Sequence, residues 1–263
     1  MSLIKNKEGN FYPISITEVD WHCDYLWSTH RGCPYDCIYC SSKRLNARFG
    51  GDPCDIRRLK SEWKDGKLIR DLDLGGGVFV SPYNDIMTVP KEDIIVVLKQ
   101  CDYAKWNESE PTTFIFQTKD PAKYFEYREF IPRGSWLGTT IETSCWENYE
   151  LSNITHAPSS GYRYNEMDSI KRFNGNKHKY FVTIEPIMVS DDKIVTWMDR
   201  LHPDLIFIGA NTSKVQLPEP TPDELIELIE QLKSITHVHL KRNLKRLLPT
   251  SLHSWFKVIE RME

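Results

Sequence analysis

The chain has 263 residues, 40% of them hydrophobic and 27% charged, and its formal net charge is −3. This is the profile of a globular enzyme with a full core; it excludes a disordered chain, and an α/β barrel of this length is normally one domain. It also excludes a global attraction to nucleic acid, so any such binding has to come from local patches of Lys and Arg.

The opening residues, MSLIKNKEGNFYPIS, lack the apolar stretch of a signal peptide, and no run is long enough to cross a bilayer. A cytoplasmic protein with no membrane partner is therefore expected. In a reducing compartment its seven cysteines, an odd number, read as thiols or metal ligands and not as a disulfide framework.

In chain order, an extension over 1–24 precedes a short strand from Tyr25 to Thr29, the cysteine loop and a helix from Ile38 to Arg48. The polar stretch from Gly50 to Lys67 reads as an insertion. Gly75 to Gly77 lead into a strand at Val78 to Val80, and Pro90 opens a helix from Lys91 to Gln100. A third unit pairs Thr113 to Gln117 with a helix near Ala122 to Phe130. A fourth has Trp136 to Ile141 before a second insertion, Ser144 to Arg163. Tyr180 to Ile184 with Lys193 to Leu201, and Leu205 to Ile208 with Pro222 to Ile235, complete six units. Val238 to Leu240 adds a last strand, and the tail with Trp255, Phe256 and Val258 reads as a closing amphipathic helix. Six alternating units predict a parallel sheet in a partial (β/α)6 TIM-like barrel with a C-terminal helical tail, one domain over 1–263 with its core at about 25–246 and its tail at 247–263.

The stretch His30-Arg31-Gly32-Cys33-Pro34-Tyr35-Asp36-Cys37-Ile38-Tyr39-Cys40 spaces three thiols by three and then two residues. A four-iron cubane held by three thiolates keeps one iron open to another ligand, whereas a ferredoxin uses a fourth cysteine. Zinc would need four ligands, hence a further pair at suitable spacing. Polar residues end every apolar run: Ser81, Asn84 and Asp85; Gln117, Thr118 and Lys119; Thr139, Thr140, Glu142 and Thr143; Glu185; and Gly209, Ala210 and Asn211. Singly these could be strand caps, but catalytic groups of such barrels project from the same strand ends, so together they predict a lined pocket.

The cysteine motif, with aromatic Tyr39 before its last cysteine, resembles the radical S-adenosylmethionine (SAM) superfamily. The stretches Val78 to Ser81 with Asp85, Thr118-Lys119, Gly138 to Glu142, Ile184 to Pro186 and Gly209 to Asn211 look like a phage-associated branch similar to spore photoproduct lyase. The resemblance implies a 4Fe-4S cluster on Cys33, Cys37 and Cys40, with SAM chelated to the open iron and cleaved to a 5'-deoxyadenosyl radical. It implies that Tyr39 packs near the adenine, that Lys119 pairs with the SAM carboxylate and that Ser81 or Asp85 takes its amino group. Thr140 and Glu142 would suit the ribose, with Glu185 and Asn211 in the same cofactor-binding set. The Gly-Gly-Glu of many such enzymes is absent after the second strand, because the glycines here precede it.

Cys145 is a candidate hydrogen-atom donor, against the ordinary reading of a buried thiol; Cys54 is treated with the same caution, and Cys23 and Cys101 read as packing residues. Tyr83, Tyr162 and Tyr164 are candidate relays or stacking groups, against ordinary amphipathic tyrosines. Basic clusters at Lys43-Arg44 with Arg48, Arg57-Arg58-Lys60, Lys171-Arg172, Lys177-His178-Lys179 and Lys241-Arg242 with Lys245-Arg246 could hold DNA phosphates while aromatics stack on an extruded base, or could be solvated charge. The phage-like resemblance implies modified thymine in DNA as partner, in the host cytoplasm if phage-encoded. The reaction would isomerise an amino acid joined through nitrogen to thymidine, so that glycine becomes carbon-linked, with flavodoxin or ferredoxin as electron donor. The alternatives are a spore-photoproduct-lyase-like lyase or DNA repair enzyme, a radical enzyme acting on a peptide or small metabolite, and a non-enzymatic zinc or nucleic-acid-binding protein.

Overall fold

Seven parallel strands, neighbours in the sheet in the same order as in the chain, curl into a half-barrel. They are β1 (Tyr25–Trp27), β2 (Gly76–Val80), β3 (Thr112–Thr118), β4 (Trp136–Thr140), β5 (Lys179–Ile184), β6 (Leu205–Ile208) and β7 (Val238–Leu240). The computed structural model describes residues 23–48, 50–70, 72, 75–105, 112–145 and 154–256. The helices are α1 (Ser41–Ala47), α2 (Lys91–Lys105), α3 (Ala122–Glu126), α4 (Ser160–Asn174), α5 (Lys193–Leu201) and α6 (Pro222–Ile235). None of the described helices is long and apolar enough to cross a membrane.

The period of two along each strand sorts its side chains into two cores. Val78, Val80, Phe114, Phe116, Leu137, Tyr180, Val182, Ile184, Ile206 and Ile208 join the larger cluster that the helices cover. Phe79, Ile115, Phe181, Leu205 and Phe207, with Leu26 and Trp136, form a smaller cluster within the curl. Gly138 belongs to the inward row. A Cβ there would stand 2.1 Å from the Phe181 ring, so the missing side chain is the space the ring fills. Two residues past the floor the inward parity falls on Ser81, Gln117 and Thr140; on β5 it reaches Glu185 four residues past Phe181, and on β7 it falls on Lys241, two past His239, the register partner of Phe207. The aromatic layer is thus a floor, and the polar strand ends stand above it.

Strand and helix positions follow the apolar pattern, although β1 ends at Trp27 and not Thr29, β2 takes in Gly76 and Gly77, and α3 ends at Glu126 and not Phe130; three further differences are larger. The first helix starts at Ser41 and not Ile38, because Cys37 to Cys40 close a tight turn in which Cys40 N donates to Cys37 O (3.0 Å). Ser160 to Arg163, read as part of an insertion, opens α4, capped by Ser159 Oγ accepting from Tyr162 N. Among the described residues the tail region forms 3-10 turns, Arg242–Leu247 and Thr250–Trp255, with Pro249 between them supplying no N–H to continue a helix. Val258 lies outside the described residues.

Candidate active site

Three segments assemble the site around the end of β1. After Trp27 the chain leaves the sheet, and His30–Arg31 pairs antiparallel with Arg57–Arg58. Gly32 has φ +86°, and a Cβ there would lie 1.8 Å from Asp55 O, so only glycine lets the loop cross that strand. Cys33 N donates to Pro53 O (3.3 Å) on one side, while Ile38 N donates to Ile154 O (3.0 Å) and His156 N to Tyr35 O (2.7 Å) on the other. The two stretches read as insertions are therefore the braces of the cysteine loop.

Cys33, Cys37 and Cys40 are free thiols, and all three line one cavity of about 320 Å³. Burial, with the nearby Asp85 carboxylate, pushes the Cys33 thiol up to about 12, and burial also raises Cys40. The Cys37 Sγ is 3.1 Å from the buried Thr155 hydroxyl. Among the described residues no three His, Cys, Asp or Glu side chains converge on a single metal ion. Three thiols lining one cavity match the three thiolates that hold a four-iron cluster with one iron open, and are one short of the four ligands of structural zinc.

Facing the thiols at the end of β2 is a strained, underused corner. Ser81 has φ +62°, a left-handed backbone uncommon in a residue other than glycine. Its Oγ and the Asn84 Oδ1 are buried without a hydrogen-bond partner, and both residues line the cavity. Unpaired acceptors are costly unless a ligand donor meets them, so this corner and the three thiols together fit a cluster bearing a ligand with an amino group. Asp85 is spent differently. Its carboxylate accepts from Met87 N (3.0 Å), Thr118 Oγ1 (3.0 Å) and Lys119 N (2.7 Å), while burial pushes it up to about 6 against those bonds.

Behind the cavity wall lies a second charged assembly. Tyr39 OH donates to Glu142 Oε1 (2.6 Å), Lys119 Nζ donates to Tyr39 OH (3.0 Å) and pairs with Glu142, and Arg163 Nη1 pairs with Glu142 Oε2 (2.8 Å). Burial alone would raise Glu142, but the Arg163 guanidinium and the Lys119 ammonium outweigh it and hold the carboxyl well below its usual range. Glu142 is thus an ionised anchor that fixes Tyr39 and Lys119 against the cavity, which both line. Gln117 Nε2 donates to Thr140 Oγ1 (2.8 Å), and Asn211 Nδ2 donates to Val215 O (2.6 Å).

Of the residues expected from sequence, Tyr39, Ser81, Asp85, Lys119, Thr140, Glu185 and Asn211 line the same cavity as the thiols, and Glu142 and Cys145 do not. Tyr83 lines it, whereas Tyr164 stacks on Trp197 at 5.0 Å between ring centroids and Tyr162 is exposed on α4. Cys23 and Cys101 are buried among apolar residues, and Cys54 Sγ donates to Asp36 Oδ1 (3.2 Å). Sequence reasoning missed Arg163, Thr155 and Asn243. Arg163 had a usable signal: Tyr164, Met167 and Ile170 recur at helical spacing after the Ser159 cap. Thr155 and Asn243 sit in irregular segments with no periodic signal.

No protein-family model and no curated protein matches the sequence. Among solved structures the fold is similar to that of spore photoproduct lyase. A cysteine variant of that enzyme with dinucleoside spore photoproduct aligns at TM-score 0.58 and 10% identity, over 86% of this chain and 78% of that one. A double variant with bound AdoMet and the same dinucleoside aligns at TM-score 0.56 and 10% identity, over 86% and 75%. The unsubstituted complex with the dinucleoside aligns at TM-score 0.55 and 11% identity, over 86% and 78%. The likeness establishes a shared half-barrel architecture.

Proposed function

We propose that this chain is a radical SAM enzyme that holds a 4Fe-4S cluster on Cys33, Cys37 and Cys40 and binds SAM in the cavity between those thiols and the ends of β2 to β6. The observation that carries the reading is the meeting, in one cavity, of three loop thiols with the buried, unpartnered Ser81 Oγ and Asn84 Oδ1. When bound, such a cluster supplies the single electron that cleaves SAM to a 5'-deoxyadenosyl radical. The chain's own part is positional. Ser81 and Asn84 accept from the amino group, Tyr39 and Lys119, locked by Glu142, shape the wall beside the last thiol, and Thr140 and Asn211 serve the nucleoside. Asp85 holds the Lys119 backbone in place.

The substrate in this reading is thymidine in DNA bearing an amino acid through nitrogen, which the enzyme converts to the carbon-linked isomer; a small acidic flavodoxin or ferredoxin supplies electrons. The sequence resemblance supports isomerisation. A second reading, cleavage of a thymine adduct, is favoured by the fold's likeness to structures that hold a dinucleoside photoproduct. Anaerobic reconstitution with SAM, a reductant and each modified DNA, followed by nucleoside mass spectrometry, separates the two. A product of unchanged mass with a carbon-linked glycine supports isomerisation, and release of thymines supports the lyase. No 5'-deoxyadenosine with any substrate rejects both.

A further inference from the structure

The inward row of β5 to β7 carries a charged pair that neither the thiols nor Ser81 and Asn84 engage. Glu185, just beyond β5 and lining the cavity, crosses Gly209, where a Cβ would lie 2.4 Å from Glu185 Oε1. Beyond the glycine its carboxylate takes Lys241 Nζ on Oε2 (2.5 Å) and Asn243 Nδ2 on Oε1 (2.6 Å). Asn243 is itself pinned, since its Oδ1 accepts from Ala210 N and its Nδ2 donates to Ala210 O, both at 3.0 Å. The pair is therefore an oriented anion beside an oriented cation. Both side chains remain partly accessible, at 25% for Glu185 and 14% for Lys241.

Valence counting shows what is left over. A carboxylate offers about four acceptor sites and an ammonium three donors. One bond is made to each Glu185 oxygen and one from Lys241, so acceptors remain on Glu185, which lines the cavity, and donors remain on the part-exposed Lys241 paired to it from outside that lining. Adjacent unspent anion and cation complement a zwitterion. We propose that Glu185 and Lys241 are the substrate-recognition pair, Glu185 taking an ammonium and Lys241 a carboxylate of an amino-acid group on the substrate. Glu185, expected among the cofactor contacts, is here assigned to the substrate instead. This inference rests on the radical SAM reading for the placement of SAM at the thiol side.

The test crosses protein variants with ligand variants. The probes are thymidine carrying glycine through nitrogen on its methyl carbon, the methyl ester of that glycine, and its N-acetyl form. Binding to the reconstituted protein is measured by calorimetry, with SAM binding measured in parallel. For the wild type, esterification and acetylation each weaken binding by roughly tenfold to a hundredfold. In Lys241→Met the ester penalty disappears while the acetyl penalty persists, and in Glu185→Gln the reverse holds. The exchange E185K with K241E keeps an ion pair tying β5 to β7, so it controls for folding, and it too loses the preference for the zwitterion. An ester penalty that persists in Lys241→Met, an acetyl penalty that persists in Glu185→Gln, both penalties intact in the exchange, or variants that lose SAM and not the probe, overturn the inference. Wild-type protein that shows both penalties but holds no iron or sulfide would sink the radical SAM reading and leave the recognition pair standing.

Discussion

Glu142 shows how much one buried carboxylate can carry. It is 1% exposed and neutralises the fully buried Arg163 while positioning Tyr39 and Lys119. Replacing it with Gln strands a buried guanidinium, and the expected cost is about 3–5 kcal/mol in urea denaturation. The same ion pairs set an acid limit. Because the folded form holds this carboxyl below its ordinary value of 4.5, its stabilisation is present above that value and is lost as the pH falls toward the depressed one. Wild-type stability should therefore fall below about pH 4.5 more steeply than that of Glu142→Gln; parallel pH curves would contradict the assignment. Thr155 is a smaller case. Its hydroxyl lies 3.1 Å from Cys37 Sγ, and hydrogen bonds to ligand sulfur raise a cluster's potential by stabilising its reduced form. Thr155→Val should make the potential of the reconstituted protein more negative in an EPR-monitored redox titration, whereas an equal or higher potential would show that the contact is spent on Tyr35 O instead.

At the scale of elements, the pairing of a glycine on one strand with an aromatic ring on the next builds the cavity floor. Gly138→Ala places a methyl carbon against Phe181, with an expected cost of about 1–3 kcal/mol. Phe181→Leu should cost less in that variant than in the wild type, and equal costs in a denaturation cycle would show that the two do not compete for space. Elements of this kind were legible in the sequence to the residue at α5, β6, α6 and β7, because apolar spacing, Pro222 and the Thr221 to Glu224 capping box all agree there. They were not legible where tertiary contacts decide. His30–Arg31 leaves the sheet to pair with Arg57–Arg58, and residues 33–40 take their shape from Pro53 and Ile154, both distant in sequence. The strand-end residues were visible because inward parity continues past each strand. Their depth was not: nothing local told Glu142, behind the wall, from Thr140, on it.

Across the whole molecule, charge is unevenly distributed. Residues 31–60 hold seven Lys or Arg against three Asp, a local excess of four positive charges in a chain of net −3. This segment contains the cysteine loop, and its Arg44 and Lys60 are exposed. If it meets about four phosphates, duplex affinity should fall about a hundredfold between roughly 50 and 200 mM salt, and the pair of changes Arg44→Glu and Lys60→Glu should flatten that slope. Affinity independent of salt would remove DNA from the account. The half-barrel, the braces on both sides of the loop and the polar ring above the aromatic floor all serve the placement of three sulfurs. The most direct measurement is therefore iron and acid-labile sulfide content after anaerobic reconstitution, for the wild type, for Cys33→Ala, Cys37→Ala and Cys40→Ala, and for Cys23→Ala as control. Close to four irons and four sulfides per chain are expected for the wild type and the control, with loss of the cluster in the other three. Full iron and sulfide in those three, or a sulfide-free metal in the wild type, would contradict it.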